Sequence, residues 1–249
     1  MTPPLLDVAG LTVHYGSRLA LDDVGFTVPA GTVCGLAGTN GAGKSTLMKA
    51  ILGLVPPTSG QVRIAGSPVR DALREARVAY VGQSSETDAD FPIRVDDVVM
   101  TGRYGRQGWL RRRSAADRAA VADALDQVGL ADLPHRQIGE LSGGQRKRMF
   151  VARAIAQEAD LLLLDEPFAG VDRYSEALIV ERLRALAADG RGILVSTHDL
   201  ASMTSFTDSV VLLARRLIAH GPPDDALSPD SLAAAFGLPA GDRRSRDER

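Results

Sequence analysis

The chain has a single cysteine, Cys34, in 249 residues, and aromatic residues make up only 4% of it. A lone cysteine excludes an internal disulfide framework and fits a reducing compartment. So few aromatics argue against a stacking surface for bases or sugars. An excess of one charge is missing too: 29 lysines and arginines stand against 31 aspartates and glutamates, a net charge of -2. That balance gives no global basic field to hold nucleic acid or an anionic bilayer, so no nucleic-acid partner is expected. No run reaches the roughly 18 uncharged apolar residues of a membrane span. The longest, at 161–164 and 210–214, have the length of core strands. Thr2, Pro3, Pro4 and Asp7 open the chain in place of a charged-then-apolar leader. Composition therefore predicts a soluble, cytosolic protein with enough chain to bury a sizeable core.

What the chain does carry is an alternation of strand and helix signals. Residues 5–14 and 24–28 alternate or are β-branched, and Pro29-Ala30-Gly31 marks a turn. Val33-Cys34-Gly35-Leu36-Ala37 reads as a short buried strand, and Leu47, Met48, Ile51 and Leu52 then have helical spacing up to Gly53. Ser114 and Asp117 make a capping-box pattern ahead of Val121, Leu125 and Val128, which Gly129 closes. Residues 161–164 and 193–196 read as apolar strands around a helix over 175–188, with Ile179, Leu183 and Leu186 on one face. This order predicts an α/β fold with a mainly parallel sheet. Residues 241–249 hold no apolar side chain and read as a disordered tail.

Between the predicted strand at 33–37 and the helix after it stands Gly38-Thr39-Asn40-Gly41-Ala42-Gly43-Lys44-Ser45-Thr46, a phosphate-loop pattern in the context that gives it meaning. Its glycines let successive backbone N–H groups turn toward phosphate oxygens, and the helix adds the positive end of its dipole. Lys44 would reach the β and γ phosphates, and the Ser45 hydroxyl would take a Mg²⁺ position. A second acidic feature, Leu164-Asp165-Glu166, ends an apolar strand. Such a strand would deliver Asp165 to its carboxyl edge, toward Mg²⁺. Glu166, expected on the opposite side of the chain, would polarise an attacking water.

Leu141-Ser142-Gly143-Gly144-Gln145 places a hydroxyl and two glycines at the start of a predicted helix, a further anion site. With this pentapeptide the chain resembles the ATP-binding cassette ATPases, and the family's elements follow in order over about residues 5–230. The resemblance implies a P-loop NTPase (RecA-like) core with an N-terminal antiparallel β subdomain and an inserted α-helical subdomain. It implies one domain over 1–240, with 1–90 and 160–240 as the nucleotide-binding core and 91–159 as the helical subdomain. It further implies ATP and Mg²⁺ as cofactors, Tyr15 stacked on adenine, and Ser45, Gln83 and Asp165 at the Mg²⁺ ion. Lys44 and Glu166 would be catalytic, and His198 would be the switch histidine at the γ-phosphate. Asp172 would lie in the D-loop Ala169-Gly170-Val171-Asp172. One copy carries one phosphate loop and one signature, which in the family face opposite copies. The resemblance thus implies a homodimer in which ATP lies between Lys44 of one subunit and Ser142 of the other.

About a hundred residues separate Lys44 from Leu141, too few for the long coiled coil of chromosome-type and repair-type relatives. Phe91-Pro92-Ile93-Arg94, Gly108-Trp109-Leu110, Arg136-Gln137-Ile138-Gly139-Glu140 and residues 165–172 resemble the manganese, zinc and iron importer branch. That implies an energy-coupling subunit on the cytoplasmic face of the membrane. Integral permease subunits would hold it there, and an extracytoplasmic binding protein would act with it indirectly. Competing readings are a siderophore or haem importer and a soluble, non-transport cassette acting as a scaffold. Phe91, Val95, Val98, Val99, Met100 and Tyr104 are candidates for an apolar wall of a permease-docking groove, or for ordinary helix core. Arg103, Arg106, Arg111, Arg112, Arg113 and Arg118 read as a solvated basic face or as a patch against head groups or permease loops. Arg146-Lys147-Arg148 either strengthens the signature's anion site or is solvated. His14, His135, His198 and His220 are scattered and Cys34 has no spaced companion, so selection of the cargo is expected in other subunits.

Overall fold

The computed structural model describes residues 3–83, 92–107 and 112–237. Phe91, the segment 108–111 with Trp109 and Arg111, and the tail 241–249 lie outside these residues. Two sheets organise the chain. The first is antiparallel, in the order β2-β1-β4-β5, from β1 (Leu6–Tyr15), β2 (Arg18–Val28), β4 (Ser59–Ile64) and β5 (Ser67–Pro68). The second runs β10-β9-β3-β8-β7-β6, from β3 (Val33–Ala37), β6 (Val78–Val81), β7 (Leu161–Asp165), β8 (Gly192–Ser196), β9 (Ser209–Ala214) and β10 (Arg216–Gly221). It is parallel except for β10, which pairs antiparallel with β9. The helices are α1 (Lys44–Ile51), α2 (Val69–Arg74), α3 (Val95–Met100), α4 (Ala115–Gln127), α5 (Gly143–Ala156), α6 (Arg173–Ala188), α7 (Leu200–Phe206), α8 (Pro223–Ala226) and α9 (Pro229–Phe236). Among the described residues no helix is long and apolar enough to cross a membrane.

The apolar strands of the second sheet feed cores on both of its faces, because successive side chains point to opposite faces. Leu162 and Leu164 of β7, with Ile193 and Val195 of β8, join the core built on α3, α4, α5 and α6. Leu161 and Leu163, with Leu194 of β8 and Cys34 and Leu36 of β3, join the core shared with the antiparallel sheet and α1. Cys34 is fully buried there, and burial pushes its thiol up to about 11. The native protein should therefore resist maleimide labelling at neutral pH and react on unfolding. Stoichiometric labelling of the folded chain would contradict this packing.

The structure decides two readings of the helical segment that the sequence left open. Val95, Val98, Val99 and Met100 are buried in the core formed by α3, α4 and α5, so they pack the helices and do not face outward. Tyr104, by contrast, is 43% exposed. Nor are Arg103, Arg106, Arg113 and Arg118 a free basic face. Arg103 is buried: it pairs with Asp117 at 3.1 Å and with Glu158 at 2.9 Å, and donates to the Ala156 carbonyl at 2.7 Å. Arg106 caps the end of α5 by donating to the carbonyls of Gln157 (2.8 Å) and Glu158 (2.7 Å). Arg113 pairs with Asp97 at 2.7 Å, and Arg118 donates to the Arg113 carbonyl at 3.0 Å. These cations brace the helices against one another and against the C-terminus of α5, whose orphan carbonyls need donors.

Candidate nucleotide site

The parallel register brings the ends of three strands level: Ser196 of β8 lies beside Leu36 of β3 on one side and Asp165 of β7 on the other. The loop after β3 and the acids after β7 thus meet at one carboxyl edge, where open α/β sheets form their ligand crevices. Backbone geometry shapes the loop. Gly38 has φ 152, and a Cβ there would lie 2.3 Å from the Leu213 carbonyl oxygen. Gly43 has φ 101, and its Cβ would meet a Leu21 methyl at 2.6 Å. Only glycine fits either position. Lys44 opens α1, whose N-terminus carries no side-chain cap, so its first N–H groups are free to meet an anion.

The Lys44 ammonium lies back on its own loop, donating to the carbonyls of Gly38 (2.6 Å) and Thr39 (3.2 Å). Burial lowers its pKa, while Glu166 and then Asp165 oppose that shift. Residues 39–46, Tyr15, Arg18, Gln83, Asp165, Glu166 and Arg215 line a cleft of about 380 Å³. Gly38 is packed behind it against Leu213. The two acids do not point to opposite sides of the chain as expected. Glu166 has φ 51, so the strand alternation ends at Asp165 and both carboxylates line the same cleft. A left-handed non-glycine residue is strained and needs support from its surroundings. Ser196 supplies that support: its carbonyl and hydroxyl accept from the Glu166 N–H (3.1 and 3.0 Å), and its hydroxyl donates to Asp165 Oδ1. Glu166 is buried, and its Oε2 lies 2.8 Å from Nδ1 of the exposed His198.

The signature residues lie elsewhere. Ser142 caps α5, its hydroxyl accepting from the Gln145 N–H at 3.2 Å while the Gln145 side chain accepts from the Ser142 N–H at 2.9 Å. Asp172 caps α6 through Ser175, accepting from its N–H and hydroxyl at 2.9 Å each, and these bonds hold its carboxyl below the ordinary range. The two segments touch: a Cβ on Gly144 would lie 2.6 Å from Asp172 Oδ2, and one on Gly143 would lie 3.7 Å from the Gly170 carbonyl. Ser142, Gly143, Gly144, Gln145, Asp172 and His198 are absent from the cleft lining, which gathers the remaining predicted site residues apart from Gly38.

Sequence reasoning missed three contributors. Ser196 ends an apolar strand, a signal that becomes readable only once β8 is placed beside β7. Arg215 sits in the turn between β9 and β10 with φ 62, and its N–H donates to the Ala42 carbonyl at 2.7 Å, closing the loop from behind. Arg18 follows Tyr15 by a short turn and adds a second guanidinium to the cleft. Arg148 is neither solvated nor at an anion site: it is buried and donates to the carbonyls of Val128 (2.7 Å) and Gly129 (3.1 Å) beyond α4.

A strand, glycine loop and helix beside an acid pair at the end of the next strand but one define a phosphate-loop nucleotide-binding protein. Residues 21–169 match the family model described as ABC transporter. The chain is 47% identical to the chelated iron transport system membrane protein YfeB of Yersinia pestis, over 94% of this chain and 79% of that protein. It is also 47% identical to the manganese transport system ATP-binding protein MntA of Synechocystis, over 93% and 90% of the two chains. A solved ATP binding subunit of an ABC transporter superposes with a TM-score of 0.78 at 29% identity, covering 96% of this chain and 95% of that one. The chain belongs to the ABC transporter family; it binds ATP and hydrolyses it in support of transport.

Proposed function

We propose that this chain is the ATPase subunit of an importer for a divalent transition metal, working as a nucleotide-linked homodimer on integral permease subunits. The cargo reading is carried by the 47% identity to chains named for chelated-iron and manganese transport. In this reading the subunit sits on the cytoplasmic face of the membrane, held by the permease, and an extracytoplasmic binding protein delivers the substrate. Residues 1–240 act as one ATPase domain, with 91–159 as a helical subdomain, consistent with the mutual packing of α3, α4 and α5.

The catalytic reading rests on the contact between Glu166 and His198. Glu166, buried and fixed through Ser196, accepts the proton of the attacking water or orients it, and His198 holds its carboxylate toward the γ-phosphate. Lys44 leaves its loop carbonyls for the β and γ oxygens, where its charge counts most in the transition state. Tyr15, 46% exposed at the cleft, offers its ring to adenine. Hydroxyl, carboxamide and carboxylate oxygens of Ser45, Gln83 and Asp165 converge on one cleft and fit a hard cation such as Mg²⁺. When bound, Mg²⁺ supplies neutralisation of phosphate charge. Ser142 and Gly143 are exposed and stand off this chain's own cleft, as a signature serving a second copy's nucleotide requires.

Uptake assays with a panel of cations in cells lacking this subunit test the cargo. Loss of manganese, zinc or ferrous iron uptake, restored by the parent gene and not by its Glu166→Gln form, is the expected result. Loss confined to siderophore or haem uptake would replace the cargo with a chelate. Recovery of the chain as a lone soluble complex, with uptake intact, would favour the scaffold reading.

A further inference from the structure

The signature helix sends a cation into the catalytic layer that the scheme above does not use. Lys147 projects from α5, and its ammonium donates to the Gln83 main-chain carbonyl at 2.9 Å. Gln83 follows β6 closely and lines the nucleotide cleft. Lys147 is half-buried; burial lowers its pKa, and the charges opposing that shift are Glu166 and then Asp165. The same two carboxylates act on Lys44 in the same order. Two ammonium groups, one from the phosphate loop and one from the signature helix, thus rest on main-chain carbonyls, Lys44 on Gly38 and Thr39 and Lys147 on Gln83. Two other cations of α5 serve packing: Arg148 holds carbonyls beyond α4, and Arg153 donates to the Tyr80 carbonyl of β6 at 3.1 Å. Lys147 is absent from the cleft lining, and its link to the cleft runs through Gln83.

We infer that Lys147 is a positioning residue for ATP hydrolysis: by pinning the Gln83 main chain to the signature helix it fixes one wall of the cleft that Asp165 and Glu166 also line. The inference rests on the reading of those two acids as the catalytic pair. Gln83 is exposed, so losing a charged hydrogen bond of this kind alters an equilibrium on the order of tenfold, the low end for a charged donor. Its loss should appear in turnover and not in nucleotide affinity, because the loop that grips the phosphates is untouched.

The test compares Lys147→Met and Lys147→Arg in the full chain, assembled with its permease for kinetics and free of nucleotide for hydrogen exchange. Lys147→Met should lower kcat on the order of tenfold, leave KM for ATP within about twofold, and speed amide exchange over 78–83 and 143–150. Lys147→Arg, which keeps the charge and a donor, should restore all of these. Unchanged kcat and exchange in Lys147→Met would overturn the inference. So would an equal loss in both variants, which would assign the effect to side-chain shape, or a rise in KM at constant kcat. The exchange measurement involves no turnover. Faster exchange in Lys147→Met beside an active Glu166→Gln protein would therefore remove the catalytic reading and leave the pin in place.

Discussion

Glu166→Gln should bind ATP as the parent does and lose about 10² to 10⁴ in turnover, the usual cost of removing a positioned base. The substitution keeps the size of the side chain and a hydrogen-bonding group for His198, 2.8 Å away. It removes the negative charge and the ability to take a proton. Folding should be little affected, because the backbone of residue 166 is held by Ser196 through main-chain N–H bonds that any side chain leaves intact. Binding should survive because the loop over 38–46 and Tyr15 are unchanged. A dimer glued by unhydrolysed ATP should then accumulate, visible as an ATP-dependent doubling of mass in light scattering. Near-parental hydrolysis would remove Glu166 from its role. A protein that stays monomeric with ATP, both alone and with its permease, would remove the shared-nucleotide arrangement.

The phosphate loop was legible because its constraints are local: nine consecutive residues carry the glycines, the lysine and the hydroxyl between a buried strand and an amphipathic helix. The capping box at Ser114 and the acids closing β7 were legible for the same reason, and the structure reproduces both. What escaped depends on contacts between residues far apart in the chain. Ser196 becomes the support of Glu166 only through the β7–β8 register, and Arg215 closes the loop from the far end of β9. Glu166 itself misled strand logic, since nothing in its side chain announces a left-handed φ. The basic run at 103–118 misled for the opposite reason. A one-dimensional list shows six arginines and little acid, while the balancing carboxylates sit at Asp97 and Glu158, outside the run, and at Asp117, which counts only once its pairing is known.

That pairing carries a large stability effect away from the nucleotide. Arg103→Met should lower the thermal midpoint by roughly 5 to 15 °C, because removing one partner of a buried ion pair leaves the other charge uncompensated. Three groups lose a donor at once: Asp117, Glu158 and the Ala156 carbonyl. Asp117 keeps its bonds from the Ser114 N–H and hydroxyl, so the helix cap itself should persist. The same residues set the response to acid. The Ser114 backbone and hydroxyl, with Arg103 behind them, hold the Asp117 carboxyl at about 2, below its ordinary 3.8. A depressed carboxylate stabilises the fold above its unfolded pKa, and that contribution fades as pH falls from near 4 toward 2. Without Arg103 the Asp117 pKa moves up, so Arg103→Met should unfold at a higher pH than the parent. Glu158, also held low chiefly by Arg103, shifts the profile in the same direction. Adding Asp117→Asn to Arg103→Met removes the stranded charge, and the double variant should be more stable than additivity of the two single changes predicts. Equal thermal midpoints for Arg103→Met and the parent, with coincident acid transitions, would show that the brace contributes nothing and return these arginines to the solvated face that their sequence suggests.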